Sequence, residues 1–278
     1  MGHSKALFLG HLGLGDHIVL QGAVNILSPR FDEFIIPCKP HSKSTLEVLM
    51  EQNNLKNITI VSLEGDDGTQ PVTDMHGQSL PRSWINTKIG YYDQMARDMV
   101  DNFEGDIIRS GVFDSQSWRK LFRKYKNSYK MNAGITFDRT FYRQLGLRHP
   151  DTFNWWCRAG SKSDFITEQL KPNEPYIFVH DDPSRGYFIN RELLPRGIKI
   201  VSPTIHSESI FDYLPLMREA EELHFIDSSF ALMWDRYQKS RSSENYIHRY
   251  IRHKSANPYY TKGGIWHYFG GPVHRNIR

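Results

Sequence analysis

Leu7–Ile26 reads LFLGHLGLGDHIVLQGAVNI, and its reading decides the fold. Ala6, Leu7, Phe8 and Leu9 form a short apolar run suited to a buried strand. Gly10–Gly15 is a turn with glycines at positions 10, 13 and 15. From Asp16 onward, Ile18, Val19, Gly22, Ala23, Ile26 and Leu27 recur at helical spacing until Ser28-Pro29 stops them. In a strand, glycine turn and helix, backbone N–H groups at the helix start face a ligand. Glycines let that ligand come close to the backbone. Asp16 suits the partial positive charge of a helix start whatever else it does. Two roles stay open: a packed turn with an acidic first residue, or a substrate site with Asp16 as a base.

Outward from that unit the pattern repeats. Phe34–Pro37 reads as a strand, His41–Asn53 as a helix and Ile58–Val61 as a third, β-branched strand. A β-α-β-α-β order predicts a parallel sheet with right-handed crossovers. Glu64–Arg82 is polar and turn-rich, an irregular excursion or a hairpin. Helices are expected over Tyr91–Phe103, Ser117–Tyr125, Asp138–Gly146 (closed by Gly146) and Asp164–Leu170. Lys171–Pro175 is flanked by prolines and marks a domain boundary. Beyond it come strands at Tyr176–His180, Ile198–Val201 and Leu223–Ile226, with helices at Ser209–Glu221 and Phe230–Tyr237. The expected fold class is α/β: two Rossmann-like α/β domains, 1–170 and 171–278, facing across a cleft. The Gly-, Tyr- and His-rich stretch Asn257–Arg278 is expected to run back to the first domain.

At 278 residues, 39% hydrophobic and 13% aromatic, the chain has enough apolar surface for a packed core. Its 35 basic and 31 acidic residues leave a net charge of +4, too small to argue for nucleic acid and compatible with an anionic small ligand. Cys38 and Cys157 form neither a disulfide framework nor a zinc spacing. With no long apolar run and no signal-peptide pattern, a soluble cytoplasmic protein without a membrane span is expected. The sequence leaves the oligomeric state open.

Ligands of open parallel sheets bind beyond the carboxyl ends of the strands. Polar clusters fall at three such ends: Gly13-Leu14-Gly15-Asp16-His17, His180–Gly186 and Asp227-Ser228-Ser229. The last offers hydroxyls and N–H groups at a helix start, as a diphosphate cradle or as a plain cap. Arg185, with Ser184 beside it, could hold a phosphate, or could pair with Asp181 or Asp182. Asp16 and His17 are both candidate general bases, and His17 could instead orient Asp16 or touch a ligand. Ser207-Glu208 precedes a helix, where a carboxylate could accept from ribose hydroxyls. The glycines run G-x-x-G-x-G, not the dinucleotide order, and no Walker lysine, zinc-protease or nucleophile-elbow motif is present.

The turn into Gly15-Asp16 resembles the opening of heptosyltransferase-type glycosyltransferases of the GT-B fold. Phe225–Ala231 is similar to the helix start that holds the donor diphosphate in that family and in related fucosyltransferases. Phe178-Val179-His180 with Arg185 is similar in position to their strand and basic loop. The small size resembles that of compact glycosyltransferases of large algal viruses. The resemblance implies an inverting, metal-independent, cofactor-free enzyme of glycan biosynthesis. It would move a hexosyl or pentosyl group from a nucleotide sugar to an oligosaccharide acceptor. It further implies Asp16 as the base and His180, Arg185, Asp227, Ser228 and Ser229 on the donor side; by their places at the strand ends, Gly13, Leu14 and Gly15 are expected on the acceptor side, and Asp181, Ser184, Ser207 and Glu208 on the donor side. Two other readings stand beside it. One is a non-catalytic nucleotide- or phosphosugar-binding protein of the same fold. The other is an RNA-binding protein using the basic, aromatic run Arg119–Lys130.

Overall fold

The computed structural model describes residues 4–63, 89–111, 137–183, 186–237, 244–249 and 265–269. The expectations for Glu64–Arg82, Ser117–Tyr125, Arg119–Lys130, Ser184 and Arg185 therefore lie outside the described residues.

Two parallel sheets organise the chain. The first is built from β1 (Lys5–Leu9), β2 (Glu33–Cys38), β3 (Ile58–Ser62) and β4 (Asp106–Arg109), in the order β3-β2-β1-β4. Lys5 pairs with Glu33 across β1 and β2, and Ala6 with Asp106 across β1 and β4. The second sheet holds β5 (Tyr176–His180), β6 (Lys199–Val201), β7 (Glu222–Phe225), β8 (Glu244–His248) and β9 (Ile265–Phe269), in the order β6-β5-β7-β8-β9. The helices are α1 (Leu14–Leu27), α2 (Lys43–Gln52), α3 (Ile89–Asp101), α4 (Phe137–Gln144), α5 (Ser163–Leu170), α6 (Leu214–Glu219) and α7 (Ser229–Tyr237).

The apolar run of β1 works as a strand buried on both faces. Ala6 and Phe8 enter the main core, whereas Leu7 and Leu9 face a second cluster with Ala96, Met95, Met99 and Val100 of α3. Alternate side chains of a strand point to opposite faces, so β1 needs cover on both. Tyr176 and Phe178 of β5 likewise join the main core, while Ile177 and Val179 meet Ile189 and Leu194. The main core is continuous through both halves: it joins Phe8 and Val19 to Phe225, Trp234 and Ile247.

Alpha helix α1 lies so close to its neighbours that a methyl on Gly22 would meet the Asp151 carbonyl oxygen at 1.9 Å. The Tyr142 hydroxyl fastens the same place, accepting from Ala23 N–H at 3.0 Å and donating to the Val19 carbonyl at 2.9 Å. Gly146 closes α4 with φ +68°, as the sequence predicts.

The structure departs from the sequence reading in several elements. Strands β4, β8 and β9 are additional. Ile265–Phe269, within the stretch expected to return to the first domain, is β9 and pairs with β8. The single helix expected over Ser209–Glu221 is a 3-10 turn over Ile210–Tyr213 followed by the short α6. Pro215 explains the break, since it has no N–H to donate back and sits in the first turn of α6, while the Asp212 carboxylate accepts from Lys162 N–H at 3.0 Å and from the Ser207 hydroxyl. Through the same contact, and through Gly160 N–H donating to the Phe211 carbonyl at 3.3 Å, the segment leading into α5 packs on second-half elements. Among the described residues no helix is long and apolar enough to cross a membrane.

Candidate functional site

In the first sheet the chain runs from β1 outward to β2 and β3, then returns to place β4 on the other side of β1. In the second sheet β5 lies between β6 and β7. Such reversals open a crevice at the carboxyl ends of the central strands. The glycine turn follows β1, His180 ends β5 and Asp227–Ser229 follows β7, so all three sequence clusters sit at these places.

They meet. A methyl on Gly15 would touch Leu232 Cδ1 at 2.9 Å and come within 3.7 Å of the Ser229 nitrogen. The start of α1 thus abuts the start of α7, with the Gly15 position in van der Waals range of the Ser229 backbone. Ser228 Oγ lies 3.2 Å from His180 Nδ1 and accepts from Ala231 N–H at 3.4 Å, so Ser228 acts as the cap residue of α7. The His180 ring stacks on Phe230, 4.1 Å between centroids. Two helix starts with their partial positive ends therefore share one location.

Asp16 sits in the first turn of α1. Its N–H and that of His17 both donate to the Gly13 carbonyl, at 3.0 and 3.1 Å. Its carboxylate folds back over the turn: a methyl on Gly13 would meet Oδ2 at 2.6 Å. The histidine facing Asp16 is His11, with Nδ1 3.9 Å from Oδ1, each side chain about a quarter exposed. The sequence offered His17 as a residue that could orient Asp16; the histidine whose ring lies against the Asp16 carboxylate is His11. Adjacent residues of a helix point in different directions, so His17 turns inward while His11, before the turn, comes back over it. His11 is held edge-on against Phe141, with centroids 4.8 Å apart.

His17 is only 5% exposed, and its Nε2 has no hydrogen-bond partner. Burial first, then the neighbouring His11, His41 and Lys39, push its pKa down to about 4. The unfolded chain takes up this proton near pH 6.5 and the native state only near 4. Stability from neutral His17 is therefore full above about pH 6.5 and is lost as pH falls towards 4. Between pH 7 and 5 the loss is about 2 kcal/mol. His248, pushed down to about 3 by burial, His224 and Arg191, adds a slope of the same sign. Urea unfolding of the wild type and His17→Asn at both pH values should show a shallower pH dependence in the variant. Equal slopes would refute the assignment to His17.

Other sequence-predicted residues are engaged by neighbouring side chains and backbone. Asp181 accepts from Ile189 N–H at 2.8 Å and pairs with Arg191, a partner the sequence did not suggest. Asp182 and Tyr187 exchange backbone hydrogen bonds of 2.9 and 3.0 Å. Glu208 is exposed and lies 3.6 Å from Lys162, and its carbonyl accepts from the Thr45 hydroxyl at 3.1 Å, which ties α2 to the second half. Asp227 is buried, with Arg249 Nε 4.0 Å from Oδ2. Among the described residues no group of three or more His, Cys, Asp and Glu is arranged to hold a metal.

No family model matches the sequence, and no curated protein does either. Among solved structures, the crystal structure of a glycosyl transferase family 9 protein from Veillonella parvula is similar over 98% of this chain and 88% of its own, at 11% identity and a TM-score of 0.49.

Proposed function

We propose that the chain is a GT-B-like glycosyltransferase that moves a sugar from a nucleotide-diphosphate sugar to an acceptor hydroxyl, without a metal and with inversion. The observation that carries this reading is the meeting of the Gly15-Asp16 turn with the start of α7 at Ser229. Two helix starts close together, one of them carrying a carboxylate, support it. In this reading residues 1–170 carry the acceptor side and residues 171–278 the donor side. Asp16 accepts the proton of the acceptor hydroxyl as its oxygen attacks the anomeric carbon. The bond from that carbon to the diphosphate breaks, and the leaving group takes the electron pair. Ser228, Ser229, the N–H groups of α7 and Arg185 stabilise the charge that develops there.

A melting-temperature screen with nucleoside diphosphates and nucleotide sugars tests the reading. A ligand at a hundred times its Kd stabilises the fold by about 2.7 kcal/mol, a rise of roughly 5–10 °C for a chain of this size. One nucleoside diphosphate and its sugar conjugates should stand out. No shift with any of them would overturn the proposal. Release of sugar from the conjugate that binds separates an enzyme from a pure binder.

A further inference from the structure

We infer that Arg249 is the buried cation of the anion site at the start of α7, and that it binds the diphosphate of the donor; this rests on the function proposed above. Arg249 follows the last residue of β8, at the same carboxyl edge of the second sheet as the Asp227–Ser229 turn after β7. Its side chain is 2% exposed. Its guanidinium lies over the Tyr268 ring, 4.3 Å from the centroid, and its Nε points to Asp227 at 4.0 Å. That distance is an ion pair and too long for a hydrogen bond.

Two of its nitrogens, Nε and Nη1, are buried without a hydrogen-bond partner. A guanidinium carries five N–H donors and never loses its charge, so burial without acceptors is strongly unfavourable. Native proteins leave few such groups, and those left call for an explanation. Asp227 offsets the charge from 4.0 Å, too far to accept from Nε, and the Tyr268 ring lies under the guanidinium face. An anion with several oxygens supplies what is missing. The neighbouring groups suit the same ligand: the Ser228 hydroxyl, the first N–H groups of the nine-residue α7 and the positive end of its dipole. Phosphate oxygens match a planar donor fork better than they match an ammonium, so arginine and lysine are not equivalent here.

The test is titration calorimetry of the full chain with inorganic pyrophosphate and with the nucleoside diphosphate selected by melting. Arg249→Met and Arg249→Lys are compared with wild type, with circular dichroism as the check on folding. Wild type should bind both ligands, Arg249→Met should bind at least about tenfold more weakly, and Arg249→Lys should fall between. Wild-type affinity in both folded variants would overturn the role of Arg249 and leave the diphosphate site standing. Failure of wild type to bind pyrophosphate or any nucleoside diphosphate would overturn the site itself, and this inference with it. If Arg249→Met does not fold, the wild type labelled with nitrogen-15 decides. Pyrophosphate should shift the Arg249 Nε–H resonance, and an unmoved resonance under saturation refutes the contact.

Discussion

Asp16→Asn should lower sugar transfer by about 10²–10⁴-fold while leaving the fold intact. The two side chains have the same shape, and Asn still suits a first turn whose backbone is closed by Asp16 N–H and His17 N–H on the Gly13 carbonyl. The expected stability cost is the loss of one charge at a helix start, about 0.3–1 kcal/mol. What the amide cannot do is accept a proton from an attacking hydroxyl. In the proposed reaction the carboxylate does so from its position over Gly13, with His11 3.9 Å away. The measurement is the rate of sugar transfer, or of slow transfer to water, from the nucleotide sugar that raises the melting temperature. Binding of the nucleoside diphosphate should be unchanged, because Asp16 is not among its ligands in the proposed site. A near-wild-type rate in a folded Asp16→Asn protein would remove Asp16 as the base.

The opening βα unit was legible because its signal is local. Four apolar residues in a row need two buried faces, and β1 has them, with Phe8 on one side and Leu9 on the other. The meeting of three polar clusters followed from parallel strands, since each cluster stood at a strand's carboxyl end. Strand β4 was not legible: DIIR is four residues long, and two of them are charged. Strand β8 was hidden for another reason. ENYIH puts Glu244, Tyr246 and His248 on one face and the buried Asn245 and Ile247 on the other, so its alternation is not one of hydrophobicity. Asn245 is buried because its side-chain oxygen accepts from the Trp234 indole at 2.8 Å. The His11–Asp16 contact required knowing how a glycine turn folds back, which spacing does not reveal. Arg249 and Asp227 become neighbours only when β7 and β8 pair.

Asp138→Ala should cost about 3–5 kcal/mol, the loss expected when a buried charge is stripped of its partner. Asp138, in the first turn of α4, and Arg236, in the last turn of α7, are both 0% exposed by side chain. Asp138 Oδ2 lies 2.9 Å from His149 Nε2 and 3.6 Å from Arg236 Nη2. Arg236 also donates to Asp235 at 3.2 Å, and its guanidinium sits 5.5 Å above the Phe153 ring. Without Asp138 the guanidinium keeps one carboxylate, and Nε and Nη2, already without hydrogen-bond acceptors, lose their nearest compensating charge. For a chain of this length the loss corresponds to a fall of roughly 10 °C in melting temperature. The double variant Asp138→Leu/Arg236→Met separates a broken pair from mere loss of packing. Hydrophobic replacement of a whole buried pair is often neutral, so the double variant should be more stable than Asp138→Ala alone, with a coupling of about 1–3 kcal/mol. Additive losses would show that the two charges do not depend on each other. The pair bears on the site because it fixes the far end of the helix whose first residue meets Gly15. The buried cluster therefore fastens α7 to α4 at one end, while the other end of α7 meets Gly15 of α1.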